Sequence, residues 1–373
     1  MLAAGGLLIL MAMGYALGGM IMDGTDPTDT PPDDAPPAQD DVTTTQSHQQ
    51  APSLGDLLRD GDDPITTTGG AGDDSLTGGM GDDTLSGGPG DDTLDGYAGD
   101  DLLDGGTGDD VLRGREGMDS LLGSGGDDAI TGGSGADLIE GGQDDDALFG
   151  NEGDDTILGQ GGADEIYGDE GDDSVIGGYG TDFIVGGDGH DTLSGGADGD
   201  LLFGGEGDDH LAGGDGDDYL QGGFGADTLS GGAGNDRLDG TFAAGDSIFG
   251  PHDEDQGDLL DGGDGDDVII VGAQDIATGG EGQDSFITGS FIEMAAVAGH
   301  VTDFDPTQDV IEVMFDPEAT PDPVITVADF ADGDGADILF NGEVILTVAG
   351  AQGLDPAAII LRAIDLDTAA ETA

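Results

Sequence analysis

The sequence has no cysteine, no tryptophan and no lysine, and five arginines are its only Lys or Arg residues among 373 positions. Against them stand 84 aspartates and glutamates, which give a formal net charge of -79 at pH 7. The absence of cysteine excludes disulfide bonds and thiolate metal sites. The negative charge disfavours nucleic acids and anionic membrane surfaces as partners. It also opposes a compact state unless cations neutralise it.

Sequence signatures of common enzyme classes are missing as well. There is no H-E-x-x-H pattern of a zinc protease and no G-x-S-x-G pattern of a lipase, and residues 132–136, GGSGA, fail the second at the last position. The five histidines, which are scattered, are His48, His190, His210, His252 and His300. We therefore predict that the chain is not an enzyme.

What the sequence has in abundance is glycine, with 78 residues arranged in a nine-residue repeat. Residues 69–96 read GGAGDDSLTGGMGDDTLSGGPGDDTLDG, and the unit can be written GGxGxDxUx, where U is aliphatic. Nineteen such units follow one another from Gly69 to Asp239 without insertion. Position 1 is Gly, position 6 is Asp and position 8 is Leu, Ile or Val in all 19 units. Position 4 is Gly in 17 units, and Asp144 and Asp198 replace it in the other two.

Each position of the unit has a physical role. Glycines allow positive φ and close approach of backbones, so we expect the first six residues to form a tight turn and the last three a short strand. Position 8 should face inward, with positions 7 and 9 outward. Two units then close one coil of 18 residues, and coils stack at roughly 4.8 Å. The position-6 carboxylates of stacked turns come together, where they and backbone carbonyls can form oxygen cages for a hard cation.

These residues resemble the RTX, or haemolysin-type calcium-binding repeat, family over residues 69–287. The resemblance implies an all-β parallel β-roll (a β-solenoid of nonapeptide repeats) that binds several Ca²⁺ ions between successive loops. It also implies export by a type I secretion system, and hence an extracellular or cell-surface location. The metal ligands that it implies are the position-6 aspartates Asp74, Asp83, Asp92, Asp101, Asp110, Asp119, Asp128, Asp137, Asp146, Asp155, Asp164, Asp173, Asp182, Asp191, Asp200, Asp209, Asp218, Asp227 and Asp236.

Two other interpretations of the repeat are weaker. A disordered acidic tail has no reason to keep an aliphatic residue at every position 8. An ice-binding solenoid needs a regular outward array of small hydroxyl residues, whereas position 9 varies among Thr, Ser, Asp, Arg and Leu in the first six units.

Composition divides the chain into four segments. Residues 1–22 are apolar and long enough to span a bilayer, so we expect a signal-anchor, with a signal peptide or a buried helix as alternatives. Residues 23–68 form an acidic, proline-rich linker, and residues 69–287 form the repeat array. Residues 288–373 alternate in hydrophobicity like strands and predict a small β-rich cap, with a possible type I secretion signal at its end.

The predicted function is that of a calcium-binding extracellular repeat protein that folds on calcium binding and has a structural or adhesive role. The alternative is a non-catalytic accessory or secretion domain of a toxin or secreted-enzyme system. Large rings favour one outward face, where Phe149, Tyr167 and Phe203 recur at position 9. This stripe indicates either stacking within the sheet or a contact with a second copy or another surface.

Overall fold

The position-8 residues form the core of the molecule, a single file of aliphatic side chains along the axis of a parallel β-roll. A computed structural model describes residues 43–46, 63–241, 256–289, 297–317 and 320–363. All 19 position-8 residues, from Leu76 to Leu238, are at most 2% exposed. The predicted all-β fold class is confirmed, with a parallel β-solenoid followed by further strands.

The described strands are β1 Thr43–Gln46, β2 Ile65–Thr68, β3 Ser75–Gly79, β4 Thr84–Pro89, β5 Thr93–Ala98, β6 Leu102–Thr107, β7 Val111–Glu116, β8 Ser120–Gly125, β9 Ala129–Ser134, β10 Leu138–Gln143, β11 Ala147–Glu152, β12 Thr156–Gly161, β13 Glu165–Glu170, β14 Ser174–Tyr179, β15 Phe183–Asp188, β16 Thr192–Ala197, β17 Leu201–Glu206, β18 His210–Asp215, β19 Tyr219–Phe224, β20 Thr228–Ala233, β21 Arg237–Asp239, β22 Leu259–Asp264, β23 Val268–Ile270, β24 Ile276–Glu281, β25 Ser285–Gly289, β26 Gly299–Val301, β27 Val310–Phe315, β28 Ile325–Asp329, β29 Gly335–Phe340, β30 Glu343–Ala349 and β31 Ile360–Ala363. A single turn of 3₁₀ helix, Pro356–Ala358, precedes β31.

Alternate strands belong to opposite sheets, as the 18-residue coil predicts. We call the sheet of the odd-numbered strands from β3 to β27, together with β31, the odd sheet, and the facing sheet, which begins with β2, β4 and β6, the even sheet. Within the roll the neighbouring strands of each sheet are parallel and in register, so that Leu148 pairs with Ile166 and Ile157 with Val175. At the start, β1 pairs antiparallel with β2.

The strands are longer than the sequence indicates. Most contain six residues, from position 7 of one unit to position 3 of the next, so the Gly-Gly pair lies within the strand and not in the turn. The expected direction of the side chains is confirmed, because positions 7 and 9 are more exposed than position 8 throughout the array. The turn proper is reduced to positions 4, 5 and 6, which places the aspartate of position 6 at the edge of the roll, immediately before the next strand.

The roll continues beyond the regular repeats. Strand β22 still pairs with β20, and β23 with β21, although the sequence separation of the paired residues rises to 31. The intervening stretch, residues 242–255, lies outside the described residues.

The C-terminal strands cover the last coil by extending both sheets. Strand β27 adds to β25 and is followed by β31, while β26 adds to β24 and pairs with β30. Asn341-Gly342, a dipeptide typical of tight hairpins, connects β29 to β30: the two strands are antiparallel, and both turn residues have positive φ. Phe286 of the last coil contacts Phe304 with ring centroids 6.3 Å apart.

In the described ranges, no helix has the length and apolar character needed to cross a membrane. The apolar segment 2–22, for which we predict a signal-anchor, lies outside them.

Candidate metal centres

The position-6 aspartates line both edges of the roll, buried between successive coils. Asp92, Asp155 and Asp209 are at most 2% exposed. In each case Oδ1 accepts a hydrogen bond from the backbone N–H of the aspartate one coil earlier, at 2.7–2.9 Å throughout the regular array. This bond fixes the rotamer of each carboxylate and orients its second oxygen.

The second oxygen, Oδ2, is buried without a hydrogen-bond partner in most of these residues. A buried carboxylate oxygen that lacks a partner is costly, and so many in one protein indicate groups that are completed by a ligand. Within the described residues these oxygens belong to Asp83, Asp92, Asp101, Asp110, Asp119, Asp128, Asp137, Asp146, Asp155, Asp164, Asp173, Asp182, Asp191, Asp200, Asp209, Asp218, Asp227, Asp236 and Asp267.

The glycine of position 1 leaves the space in front of each Oδ2 open. A Cβ placed on Gly159 would lie 2.2 Å from Oδ2 of Asp164 and 2.7 Å from the carbonyl oxygen of Gly177, one coil further on. The same pair of oxygens recurs around Gly168, where they come from Asp173 and Gly186. A carboxylate oxygen and a carbonyl oxygen from the next coil thus converge beside most of the position-1 glycines.

Side chains alone do not complete a metal site. Nowhere in the described ranges do three or more His, Asp or Glu side chains converge in a way that could hold a metal ion. Any cation at the coil edge must therefore take most of its ligands from backbone carbonyls, which is the ligand chemistry of Ca²⁺ and not of Zn²⁺. The donor set, oxygen only and rich in carbonyls, fits calcium.

Burial perturbs the titration of these carboxyl groups. Burial is the largest cause that raises the pKa of Asp137, Asp182 and Asp209 to about 7, and neighbouring aspartates raise it further, while the backbone hydrogen bond lowers it. Desolvation disfavours the charged form, and no cationic side chain of the described residues lowers the pKa of these three groups. The metal-free roll therefore holds carboxylates that are partly protonated near neutral pH.

Acidification should stabilise the metal-free roll. A carboxyl group whose pKa is raised by folding contributes stability below its unfolded pKa, about 4, and loses it as pH rises through the folded value, here about 7. In buffer from which calcium has been removed beforehand, we expect circular dichroism to show more strand as pH falls from about 8 to about 4. An unchanged spectrum over that window would argue against buried, uncompensated carboxylates.

The aspartates of position 5 have a different role, on the outer rim. Asp154 is exposed, and its Oδ1 accepts a hydrogen bond from the backbone N–H of Asp172 at 3.1 Å. His190 replaces aspartate in the same row and accepts through Nδ1 from the N–H of Asp208 at 2.8 Å. An acceptor at position 5 thus ties one coil to the next without facing the buried cradle.

Two neighbouring substitutions test whether the aspartates of position 5 or those of position 6 bind calcium. Asp155→Ala should weaken calcium binding at the coils around residue 155, because it removes a buried oxygen donor. Asp154→Ala should cost only one exposed hydrogen bond, about 0.5–1.5 kcal/mol. Calcium titration followed by hydrogen exchange in the peptides around residue 155 measures both, and equal losses of affinity would contradict the assignment of position 6 as the ligand.

The two units that depart from the pattern keep the same backbone. Asp144 and Asp198, at position 4, have φ of 74° and 75°, in the left-handed region that glycine occupies elsewhere. The following Asp146 and Asp200 accept their backbone hydrogen bonds at 2.8 Å, as in the regular units. At the first predicted ligand, Asp74, Oδ2 instead accepts from the N–H of Gly70 at 2.6 Å.

The row of carboxylates extends beyond the ligands predicted from the sequence. Asp258 and Asp267 accept from backbone N–H groups 31 residues earlier, each at 2.8 Å, and Asp275 and Asp284 continue the row at a separation of 17 residues. Asp309, among the C-terminal strands, accepts from the N–H of Asp284 at 3.2 Å. Residues 262–270 and 279–287 follow the same nine-residue pattern, but the irregular spacing before them conceals the continuity of the row in the sequence.

Comparison with known protein families supports the same interpretation. The model of the RTX calcium-binding nonapeptide repeat matches residues 68–94, 78–112, 113–148, 140–175, 176–211, 212–242 and 254–275. No curated protein matches the chain. The family matches cover more than half of the chain and coincide with the coils that carry the buried aspartates. The chain therefore belongs to the RTX calcium-binding nonapeptide repeat family.

Proposed function

We propose that this chain is an extracellular calcium-binding protein without catalytic activity, which folds when it binds calcium and serves a structural or adhesive role. The observation that carries the proposal is the row of buried aspartates whose Oδ2 atoms have no partner among the described residues. β-Rolls of this family are typically structural and non-catalytic. The predicted set of 19 position-6 aspartates is the proposed ligand set, to which we add Asp267 and Asp284.

Calcium availability supports the proposed extracellular location. Calcium modules outside cells work with Kd of roughly 10⁻⁴–10⁻³ M, well above cytosolic calcium. A chain whose fold requires such sites stays unfolded in the cytosol and folds after export. This order of events is compatible with a type I secretion system, and with anchoring by residues 2–22 as the alternative that keeps the roll at the cell surface.

The aromatic stripe supports a contact role only in part. The rings of Phe149 and Tyr167 stack with centroids 5.3 Å apart and planes 2° from parallel. Phe183, Phe203 and Tyr219 continue the row, with adjacent rings 5.6–5.9 Å apart. These rings therefore stabilise the odd sheet by stacking on one another. Because the rings are only half-buried, their outer edges remain exposed to solvent. We propose that these edges also contact a surface outside the chain.

Calcium stoichiometry tests the proposal directly. Equilibrium dialysis against calcium should give on the order of ten or more bound ions per chain, since each pair of stacked turns offers a cradle. Magnesium at the same concentration should bind weakly, because it demands near-octahedral geometry and gives up its water reluctantly. A stoichiometry of one or two calcium ions would overturn the proposal.

A further inference from the structure

The outward face of the odd sheet has a notch one coil wide. Strand β9 presents there only small residues, Ala129, Thr131 and Gly133, whereas the coil before it carries two arginines and the coil after it carries Phe149 and Asn151. The notch opens a groove of about 860 Å³, which is within the range of small-molecule sites. The groove extends along the roll from β7 to β15.

Along this groove the backbone follows the repeat, but the residues at position 2 do not. Position 2 of the unit adopts positive φ and is glycine in most of the array, but this column of the odd sheet carries Tyr97, Arg115, Asn151 and Asp169 with φ between 76° and 89°. Tyrosine and arginine are disfavoured in this region of the backbone. Strained side chains of this kind cluster at functional sites, and here they flank Gly133, which keeps the notch open.

The charges at the two ends of the groove are opposite. At the β7 end, Arg115 is engaged by Asp95 in a bidentate ion pair and lies 4.4 Å from the ring centroid of Tyr97. Arg113 is exposed and forms no ion pair with any described residue, in a chain where acidic groups outnumber arginines by 84 to 5. At the other end the walls are acidic, formed by Asp169, Glu170 and Asp188.

This arrangement selects a dipolar ligand. A phosphate dianion would gain from Arg113 but would be repelled by the acidic walls, and a simple polycation would leave Arg113 facing a like charge. A carboxylate can pair bidentately with a guanidinium. A ligand that also carries a positive charge can reach the acidic end. Strands β7 and β15 are four coil steps apart, roughly 19 Å at 4.8 Å per step, which is the length of an extended peptide of about five or six residues.

We propose that the groove binds the C-terminal end of a peptide, with its terminal carboxylate on Arg113 and a basic side chain over Glu170 and Asp188. This goes beyond calcium binding: the calcium-loaded roll is the scaffold, and the odd sheet carries a recognition site. Thr131 and Ser134 line the groove between the two charged ends, and the Thr131 hydroxyl lies where a peptide backbone would pass, while the Ser134 hydroxyl donates to the carbonyl of Arg115 at 3.3 Å.

The test uses the full chain in excess calcium and two matched pentapeptides. The first is N-acetylated Lys-Ser-Gly-Ser-Gly with a free C-terminal carboxylate, and the second is the same peptide with a C-terminal amide. Calorimetry should show binding of the first, and about tenfold to hundredfold weaker binding of the second, because a charge-assisted bond to Arg113 is lost. Arg113→Gln should weaken binding of the carboxylate peptide to the same degree. The amide should then cause no additional loss in that variant.

Two further variants control for indirect effects of a substitution on peptide binding. Thr131→Phe extends the aromatic column into the notch and should abolish binding, whereas Ser194→Phe makes the same change on the outward face of the even sheet and should not. Circular dichroism in calcium verifies that each variant folds. Absence of peptide binding, or equal binding by Arg113→Gln, would overturn the proposal. Preference for an acidic disaccharide over the peptide would also overturn it, in favour of a saccharide ligand.

Discussion

Removal of calcium by a chelator at pH 7.5 should convert the roll into an expanded chain with little strand. The folded state buries a row of carboxylates whose Oδ2 atoms have no protein partner, and the chain carries a net charge of -79. Burial of the aliphatic core offsets neither the buried carboxylates nor the charge repulsion, because each coil contributes only two position-8 side chains. Small-angle scattering should then give a radius of gyration approaching about 70 Å, the value for an unfolded chain of this length.

High salt distinguishes the two causes of this unfolding, which are repulsion between charges and buried carboxylate oxygens without a partner. About 1 M sodium chloride shortens the Debye length to about 3 Å and screens repulsion between exposed charges, but it supplies no ligand to a buried oxygen. The chelated chain should therefore remain unfolded in high salt and refold only on addition of calcium. Strand content that persists in excess chelator, or that sodium chloride restores, would contradict a calcium-completed core.

The regular part of the fold is predictable from sequence because each position acts locally. Leu148 and Ile157 recur nine residues apart and fall on opposite sheets, which follows directly from a period of nine and a coil of 18. Burial of the position-6 aspartates also follows, since the turn places them at the edge of the core. The family resemblance adds the identity of the ion.

Features that depend on contacts between coils were not predictable. The bond from the N–H of Asp137 to Asp155 Oδ1, which leaves Oδ2 free, connects residues 18 apart through backbone geometry that no residue pattern encodes. The groove at Gly133 forms because β7 and β11 carry large outward side chains, whereas β9 between them carries only small ones. The continuation of the row to Asp267 could not be predicted from the nine-residue period, because the coil length changes there from 18 to 31 residues while the strands still pair.

Substitution of a single glycine of position 1 should disable one metal cradle, and Gly159→Ala is the sharpest case. Its new methyl group would lie 2.2 Å from Asp164 Oδ2 and 2.7 Å from the carbonyl oxygen of Gly177, the two oxygens that converge at the cradle. The carbonyl belongs to a paired strand and cannot move without breaking the register of β12 and β14. We expect a local loss of about 1–3 kcal/mol from overpacking alone, with loss of the calcium ion in addition.

Gly161→Ala is the matched control, because Gly161 lies in the same strand and a Cβ there meets nothing within 4 Å. In saturating calcium, hydrogen exchange in peptides covering residues 156–179 should be about 5- to 150-fold faster in Gly159→Ala, the range that corresponds to 1–3 kcal/mol. Exchange in Gly161→Ala should match the parent chain, as should exchange near residues 84–107 in both variants, since repeat coils contact only their neighbours. If the two alanine variants exchange alike, position 1 does not border the metal, and the ligand oxygens must be sought on the outer rim, where Asp154 and Asp172 lie.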